Sequence, residues 1–245
     1  MNFTGKVALI TGGSHGIGRA YANALLNIGM KVCICDIHID AAKDFIEHLP
    51  ENLRNNAIYQ KCDVSSFTDL KEAFDKTIAT FGTFDVLINN AGMFGETKYQ
   101  DMININFIAV VRGTLLAFEH MNKLTGGKGG YVINTSSEAG LDPFPIAPVY
   151  SATKHAVVGL TKSLGSDYHY EKTGITVNVI CPGPVETAFF KAFPSSCVYP
   201  EEAWKLQASM KPVKPEDVAK ALLKLLEDNK NGAVLRIDTD GLRYV

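Results

Sequence analysis

Short β-branched and aliphatic runs alternate with longer stretches of helical spacing along the whole of this 245-residue chain, and that rhythm restricts the fold more than any other property of the sequence. Seven runs read as strands: Lys6–Thr11, Lys31–Cys35, Ala57–Cys62, Asp85–Ile88, Gly130–Thr135, Thr176–Cys181 and Ala233–Ile237. Some, such as Val7-Ala8-Leu9-Ile10, are apolar at every position, which suits strands covered by helices on both faces of a mostly parallel sheet. Between them, helical spacing predicts helices over Ile17–Ile28, Asp40–His48, Phe67–Phe81, Asp101–Leu124, Tyr150–His169 and Pro215–Glu227. Pro215 followed by Glu216 and Asp217 is a helix start, with the ring in the first turn and acids at the positive end of the dipole. Strand and helix alternating throughout is the pattern of a doubly wound α/β sheet, here seven-stranded, with helices on both faces.

No fixed-period repeat interrupts this order, and the glycine cluster Gly126–Gly130 precedes a strand, so residues 1–245 read as a single domain. Hydrophobic residues make up 46% and charged residues 20%, enough to bury a large core. One long irregular stretch, 184–212, mixes Phe189, Phe190, Phe193, Tyr199 and Trp204 with prolines and serines, and it is expected to be a loop that closes over substrate. Lys and Arg total 24 against 26 for Asp and Glu, a net charge of −2 without long runs of one sign, which argues against nucleic acid or an anionic membrane as partner. The first residues lack the features of a signal peptide, and Val7–Ile10 is too short to cross a bilayer, so a cytoplasmic location is expected. Cys33, Cys35, Cys62, Cys181 and Cys197 fit no zinc spacing and read as reduced core thiols; no metal site is expected.

Thr11-Gly12-Gly13-Ser14-His15-Gly16-Ile17-Gly18 falls between the first strand and the first helix. Small residues there let a pyrophosphate approach the unpaired N–H groups of the helix N-terminus, which marks Gly12, Ser14, His15, Gly16, Ile17 and Gly18 as cofactor-binding candidates. Asp36 follows the second strand, where its carboxylate would bond the adenine ribose hydroxyls and repel a 2′-phosphate. Positions 37 to 39 are Ile37, His38 and Ile39, with no arginine to compensate such a phosphate, so NAD is the expected cofactor. His15, a partial cation nearby, is the counterweight.

Asn89-Asn90-Ala91-Gly92 after the fourth strand, Ser137 thirteen residues before Tyr150, and Tyr150-Ser151-Ala152-Thr153-Lys154 complete the set. With these motifs in order from about Lys6 to the C-terminus, the chain resembles the short-chain dehydrogenase/reductase family. The resemblance implies a single-domain Rossmann fold in which Asn106, Ser137, Tyr150 and Lys154 occupy the four catalytic positions. Tyr150 and Lys154, four residues apart on a helix, share one face. A free tyrosine, with a pKa of about 10, is a poor base at neutral pH, and a positive charge from Lys154 and the oxidised nicotinamide is expected to lower it. Tyr150 would then exchange the substrate hydroxyl proton, and Ser137 would hold the substrate oxygen.

The resemblance further implies that Lys154 bonds the nicotinamide ribose and that Asn106 serves a proton relay through water, with Asn104 a close alternative. By matching, it also assigns Ile37, Asp63, Val64, Asn90 and Gly92 to the adenosine side, and Pro182, Gly183, Val185 and Thr187 to the nicotinamide side. Asp63 has a second reading as the cap of the helix starting near Phe67. Glu138 stands where the family carries a small residue, and it either favours polar substrates or faces water.

Within the family the chain is similar to NAD-dependent hydroxyprostaglandin-type and insect-type alcohol dehydrogenases, through Gly5–Leu9, the Asp36 strand end, the Gly126–Gly130 cluster and Pro148-Val149-Tyr150 with Lys154-His155. That implies oxidation of an apolar secondary alcohol of lipid, prostanoid, steroid or terpenoid type, in a homodimer or homotetramer. Ala147 stands where a glutamine holds the prostanoid, so that substrate is not singled out. Leu141, Phe144, Phe189, Phe190, Phe193 and Trp204 read either as an apolar pocket or as core and oligomer contacts. An NADPH-dependent carbonyl reductase and a non-catalytic dinucleotide-binding protein stay open as alternatives.

Overall fold

Residues 2–245 are described by a computed structural model. All seven expected strands form, as β1 (Val7–Thr11), β2 (Lys31–Asp36), β3 (Ala57–Lys61), β4 (Val86–Asn89), β5 (Gly130–Thr135), β6 (Ile175–Pro182) and β7 (Val234–Asp238). An eighth, β8 (Gly241–Tyr244), extends the sheet beyond the expected seven, and the order is β3-β2-β1-β4-β5-β6-β7-β8. Strands β1 to β7 pair in parallel, whereas β8 runs antiparallel to β7. The correction has a local cause: Asp238-Thr239-Asp240-Gly241 makes a tight reversal, with Gly241 at φ +102° and the Asp240 N–H bonded to the Asp238 carboxylate at 3.0 Å.

Strand residues alternate between two cores. Ala8, Ile10, Val32, Ile34, Val86 and Ile88 face α1 (Gly16–Asn27) and the C-terminal helix, which contribute Tyr21, Leu25, Leu222 and Leu225. Phe45 of α2 (Ile39–Glu47) joins them, and the one-turn helix α3 (Glu51–Arg54) follows. Val7, Leu9, Cys33, Cys35 and Leu87 face the other side, against Leu70 and Phe74 of α4 (Phe67–Phe81). Here the chain also packs Ala117 and Met121 from a long helix built of α5 (Tyr99–Ile103), a π turn at Asn104–Ile108, and α6 (Ala109–Met121). Full burial on both faces explains why these strands are continuously apolar. All five cysteines are buried free thiols, as expected.

The predicted helix over 150–169 is two helices, α7 (Pro148–Leu164) and α8 (Asp167–Thr173). Gly165 lies between them, at a position where a Cβ would lie 2.5 Å from both Gly232 Cα and Val177 O, so no side chain fits there. Segment 184–212 is also not the irregular loop expected: it holds α9 (Ala188–Ala192), a 3₁₀ turn at Phe193–Ser196 and α10 (Pro200–Ser209), before α11 (Pro215–Asp228). Pro200 and Pro215 each sit in a helical first turn, where a missing N–H costs nothing.

Candidate active site

β1 and β4 are neighbours although β2 and β3 intervene in sequence, so the chain reverses its winding between them and opens a crevice at their C-terminal ends. A cavity of about 680 Å³ occupies this crevice, running from Asp36 past the first glycine turn to Tyr150 and on to a group of phenylalanines.

At one end the glycine turn is forced by its surroundings. Gly12 has φ +63°, and a Cβ on it would lie 2.9 Å from Ala91 Cα; a Cβ on Gly18 would lie 2.1 Å from Gly12 O. Gly16, at φ +49°, faces Thr187 Cγ2 with only 3.0 Å for a Cβ. Asn90 Nδ2 ties the turn down by donating to Thr11 O and Gly12 O, each at 3.1 Å. Gly12, His15, Gly16 and Ile17 border the cavity. Ser14 and Gly18 do not: Ser14 is fully buried and donates its N–H to Asp36 at 3.0 Å, and Gly18 lets α1 pack against the turn.

Asp36 accepts from the Ser14 and His38 N–H groups, at 3.0 and 2.9 Å. Burial alone would raise its pKa, but hydrogen bonds from Ser14 and His38 outweigh it and hold the carboxyl below the usual range. Each carboxylate oxygen keeps a lone pair for a ribose hydroxyl. Ile37, Asp63, Val64, Asn90 and Gly92 line the same end. Ser66, not Asp63, caps α4, its Oγ accepting the Asp69 N–H at 3.2 Å, while Asp63 holds the Ser65 N–H and hydroxyl.

Midway along, Ser137, Tyr150 and Lys154 border the cavity together. Lys154 Nζ lies 5.6 Å from the Tyr150 ring centre and donates to Thr135 O at 3.1 Å. Burial pushes the Tyr150 phenol up to about 12, with the Ser137 hydroxyl pulling the other way, and it pulls the Lys154 ammonium down to about 8. The expected lowering of the phenol is therefore not produced by these side chains alone: the site is dry enough that either charge is disfavoured. Pro182, Gly183, Val185 and Thr187 form the adjoining wall.

Asn106, not the exposed Asn104, points inward from the π turn, but it does not border the cavity. Its amide clasps Met93, accepting the N–H at 2.8 Å and donating to the carbonyl at 2.9 Å. Glu138 neither simply faces water nor stands free: it borders the cavity and meets Arg236 at 3.3 Å, and burial raises its pKa.

The apolar end joins Phe144, Phe189, Phe190 and Phe193 with Phe94, whose ring centre is 4.7 Å from that of Tyr150. Leu141 packs with Val157 and Val179 instead, and Trp204 is half exposed, so these two fall outside. Phe94 and the buried Glu96, which accepts the Tyr150 N–H, escaped the sequence reading because they lie in a segment without periodicity, brought to α7 only by tertiary folding.

A family model described as short chain dehydrogenase matches residues 6–197. The 15-hydroxyprostaglandin dehydrogenase (NAD(+)) of Mus musculus is 38% identical over 245 residues, covering 97% of this chain and 91% of its own. Alcohol dehydrogenase 2 of Ceratitis cosyra is 30% identical over 237 residues, covering 96% and 92%. Among solved structures, a short chain dehydrogenase/reductase from Burkholderia phymatum in complex with NAD matches with a TM-score of 0.83 at 25% identity, covering 96% of this chain and 90% of that one.

Proposed function

Because the chain belongs to the short chain dehydrogenase family, and is thus an oxidoreductase, we propose that it is an NAD-dependent dehydrogenase of apolar secondary alcohols. The observation that carries this reading is one continuous cavity with a hydrogen-bonded carboxylate at one end, Tyr150, Ser137 and Lys154 in its middle and phenylalanines beyond them. The names of the Mus musculus and Ceratitis cosyra relatives, a hydroxyprostaglandin and an alcohol dehydrogenase, agree with it.

The residues fit the cofactor. The glycine turn leaves no room for side chains where a pyrophosphate would meet the start of α1, and Asp36 offers acceptors to ribose hydroxyls while repelling a 2′-phosphate. Lys154 would bond the nicotinamide ribose, and Val185 and Thr187 the carboxamide. When bound, the oxidised nicotinamide would supply a hydride acceptor and a positive charge to this cavity.

In alcohol oxidation Ser137 holds the substrate oxygen, and Tyr150 takes the hydroxyl proton as the carbon–hydrogen bond breaks. Lys154, whose ammonium burial pulls down to about 8, favours the phenolate when it carries its proton. Phe94, Phe144, Phe189 and Phe193 exclude water and take the apolar body of the substrate.

A panel of secondary alcohols, from short-chain to steroid and prostanoid, followed by NADH absorbance is the test. Large apolar alcohols are expected to be oxidised with NAD far better than with NADP. Binding of NADH without turnover anywhere in the panel would sink the proposal. Assembly as a homodimer or homotetramer belongs to the same reading and is checked by light scattering, where a monomer would remove it.

A further inference from the structure

The N-terminus of α7, which carries Tyr150 as its third residue, has two of its backbone donors satisfied from outside the helix. Pro148 has no N–H, and the Ser151 N–H donates to Ala147 O at 3.0 Å. The two between them, on Val149 and Tyr150, donate to Glu96 Oε2 and Oε1 at 3.1 and 2.9 Å. Ala147, at the cap position, supplies no side-chain acceptor. Glu96 is only 7% exposed, and among the described residues no ion pair holds its carboxylate. A buried carboxylate at the positive end of a helix, bonded to two backbone donors, is a strong fastening.

Glu96 also ends the short segment that forms the pocket wall. Met93, where the segment begins, is clasped by the Asn106 amide at 2.8 and 2.9 Å. Between the two anchors lies Phe94, packed 4.7 Å from the Tyr150 ring and 5.5 Å from that of Phe193. The same carboxylate thus fixes the helix bearing the phenol and the wall against which an apolar substrate would lie.

We propose that Glu96 is a positioning residue of the dehydrogenase site, setting the Tyr150 phenol and the Phe94 ring against one another so that proton transfer and recognition of the substrate's apolar body depend on one fastening. This rests on the function proposed above. It assigns Glu96 no contact with substrate or cofactor.

The test uses Glu96→Gln, which keeps the volume but turns an amide NH₂ toward one of the two donors, and Glu96→Ala, which removes both acceptors. Turnover at saturating substrate is expected to fall about tenfold or more in the alanine variant and less in the glutamine variant, as displaced catalytic groups lose rate steeply. KM for a bulky apolar alcohol rises in both, whereas KM for a short secondary alcohol and the Kd for NADH stay within about twofold, since neither contact involves the Phe94 wall. Exchange of the Val149 and Tyr150 amide hydrogens, read by NMR, speeds up in both variants. Parent-like turnover together with parent-like KM for the bulky alcohol overturns the proposal, and so does unchanged amide exchange. If the alanine variant fails to bind NADH and so to fold, the glutamine variant decides by the same criteria. If the unsubstituted protein oxidises no alcohol, the proposed function fails separately, and amide exchange alone then judges the fastening.

Discussion

Tyr150 and Lys154 meet where water is scarce, and each is pushed toward its neutral form: the phenol up to about 12, the ammonium down to about 8, both by burial. A phenol in that state needs neighbouring positive charge to serve as a base, and in the mechanism we propose that charge comes from Lys154 and a bound oxidised nicotinamide together. Tyr150→Phe keeps the ring packed against Phe94 and deletes only the oxygen proposed to exchange the proton. Turnover is expected to fall by about 10²–10⁴-fold, the usual worth of a positioned acid–base group, while NADH binding, measured by fluorescence titration, is retained. Near-normal turnover would remove Tyr150 from the chemistry. Lys154→Ala is expected to weaken both turnover and NADH affinity, and unchanged affinity would take the lysine away from the ribose. The raised phenol also has a consequence for stability. The unfolded tyrosine loses its proton near pH 10, as a free one does, before the folded one does, so this contribution is complete below about pH 10 and drains as pH rises toward 12. Denaturant melts of the parent between pH 8 and 11 should therefore weaken more steeply than those of Tyr150→Phe; parallel slopes would show that the buried phenol is not responsible.

At the scale of elements, the strands were readable because burial on both faces favours apolar residues: β1 and β4 are aliphatic up to their last residues, Thr11 and Asn89, and each falls where its aliphatic run predicts. The pairing of Tyr150 with Lys154 was equally readable, since four residues on a helix is a local distance. What escaped depended on contacts between distant segments. β8 is short and half exposed, so no apolar alternation announces it, although Asp240-Gly241 is a turn signal that alone could have revealed the hairpin. At the break between α7 and α8, Gly232 and Val177 leave no room for a side chain on Gly165, and no helical periodicity records that closeness. Glu96 is an ordinary acid in sequence and becomes a helix anchor only when its segment folds over α7. The glycines allow a direct comparison. Gly165→Ala is expected to cost roughly 1–3 kcal/mol or more, because an added methyl meets backbone on two sides. Gly159→Ala, with nothing within 4 Å of its new Cβ in the middle of α7, should instead be neutral or stabilise by up to about 1 kcal/mol. Denaturant midpoints at constant m-value give both numbers, and equal effects would refute the close packing at Gly165.

For the whole molecule, the reversal of winding between β1 and β4 places the cleft where the helices covering the two faces part, so the loops that follow β1 and β4 and the ends of β5 and β6 border one cavity. Binding there ties together elements far apart in sequence, and whatever binds the folded state stabilises it by mass action. NAD at 100 times its Kd is expected to add about 2.7 kcal/mol, which for a domain of this size raises Tm by roughly 5–10 °C. NADP at the same concentration should do less, because its 2′-phosphate meets Asp36, a carboxylate held ionised below the usual range by the Ser14 and His38 donors. Asp36→Ala should then narrow the gap from both sides, losing ribose hydrogen bonds to NAD and losing repulsion toward NADP, although His15 and His38 are untouched. Thermal melts of parent and variant with each dinucleotide measure this directly. Equal shifts by NAD and NADP in the parent would mean that the carboxylate does not face the ribose, and the orientation of the cofactor along the cavity would have to be reversed.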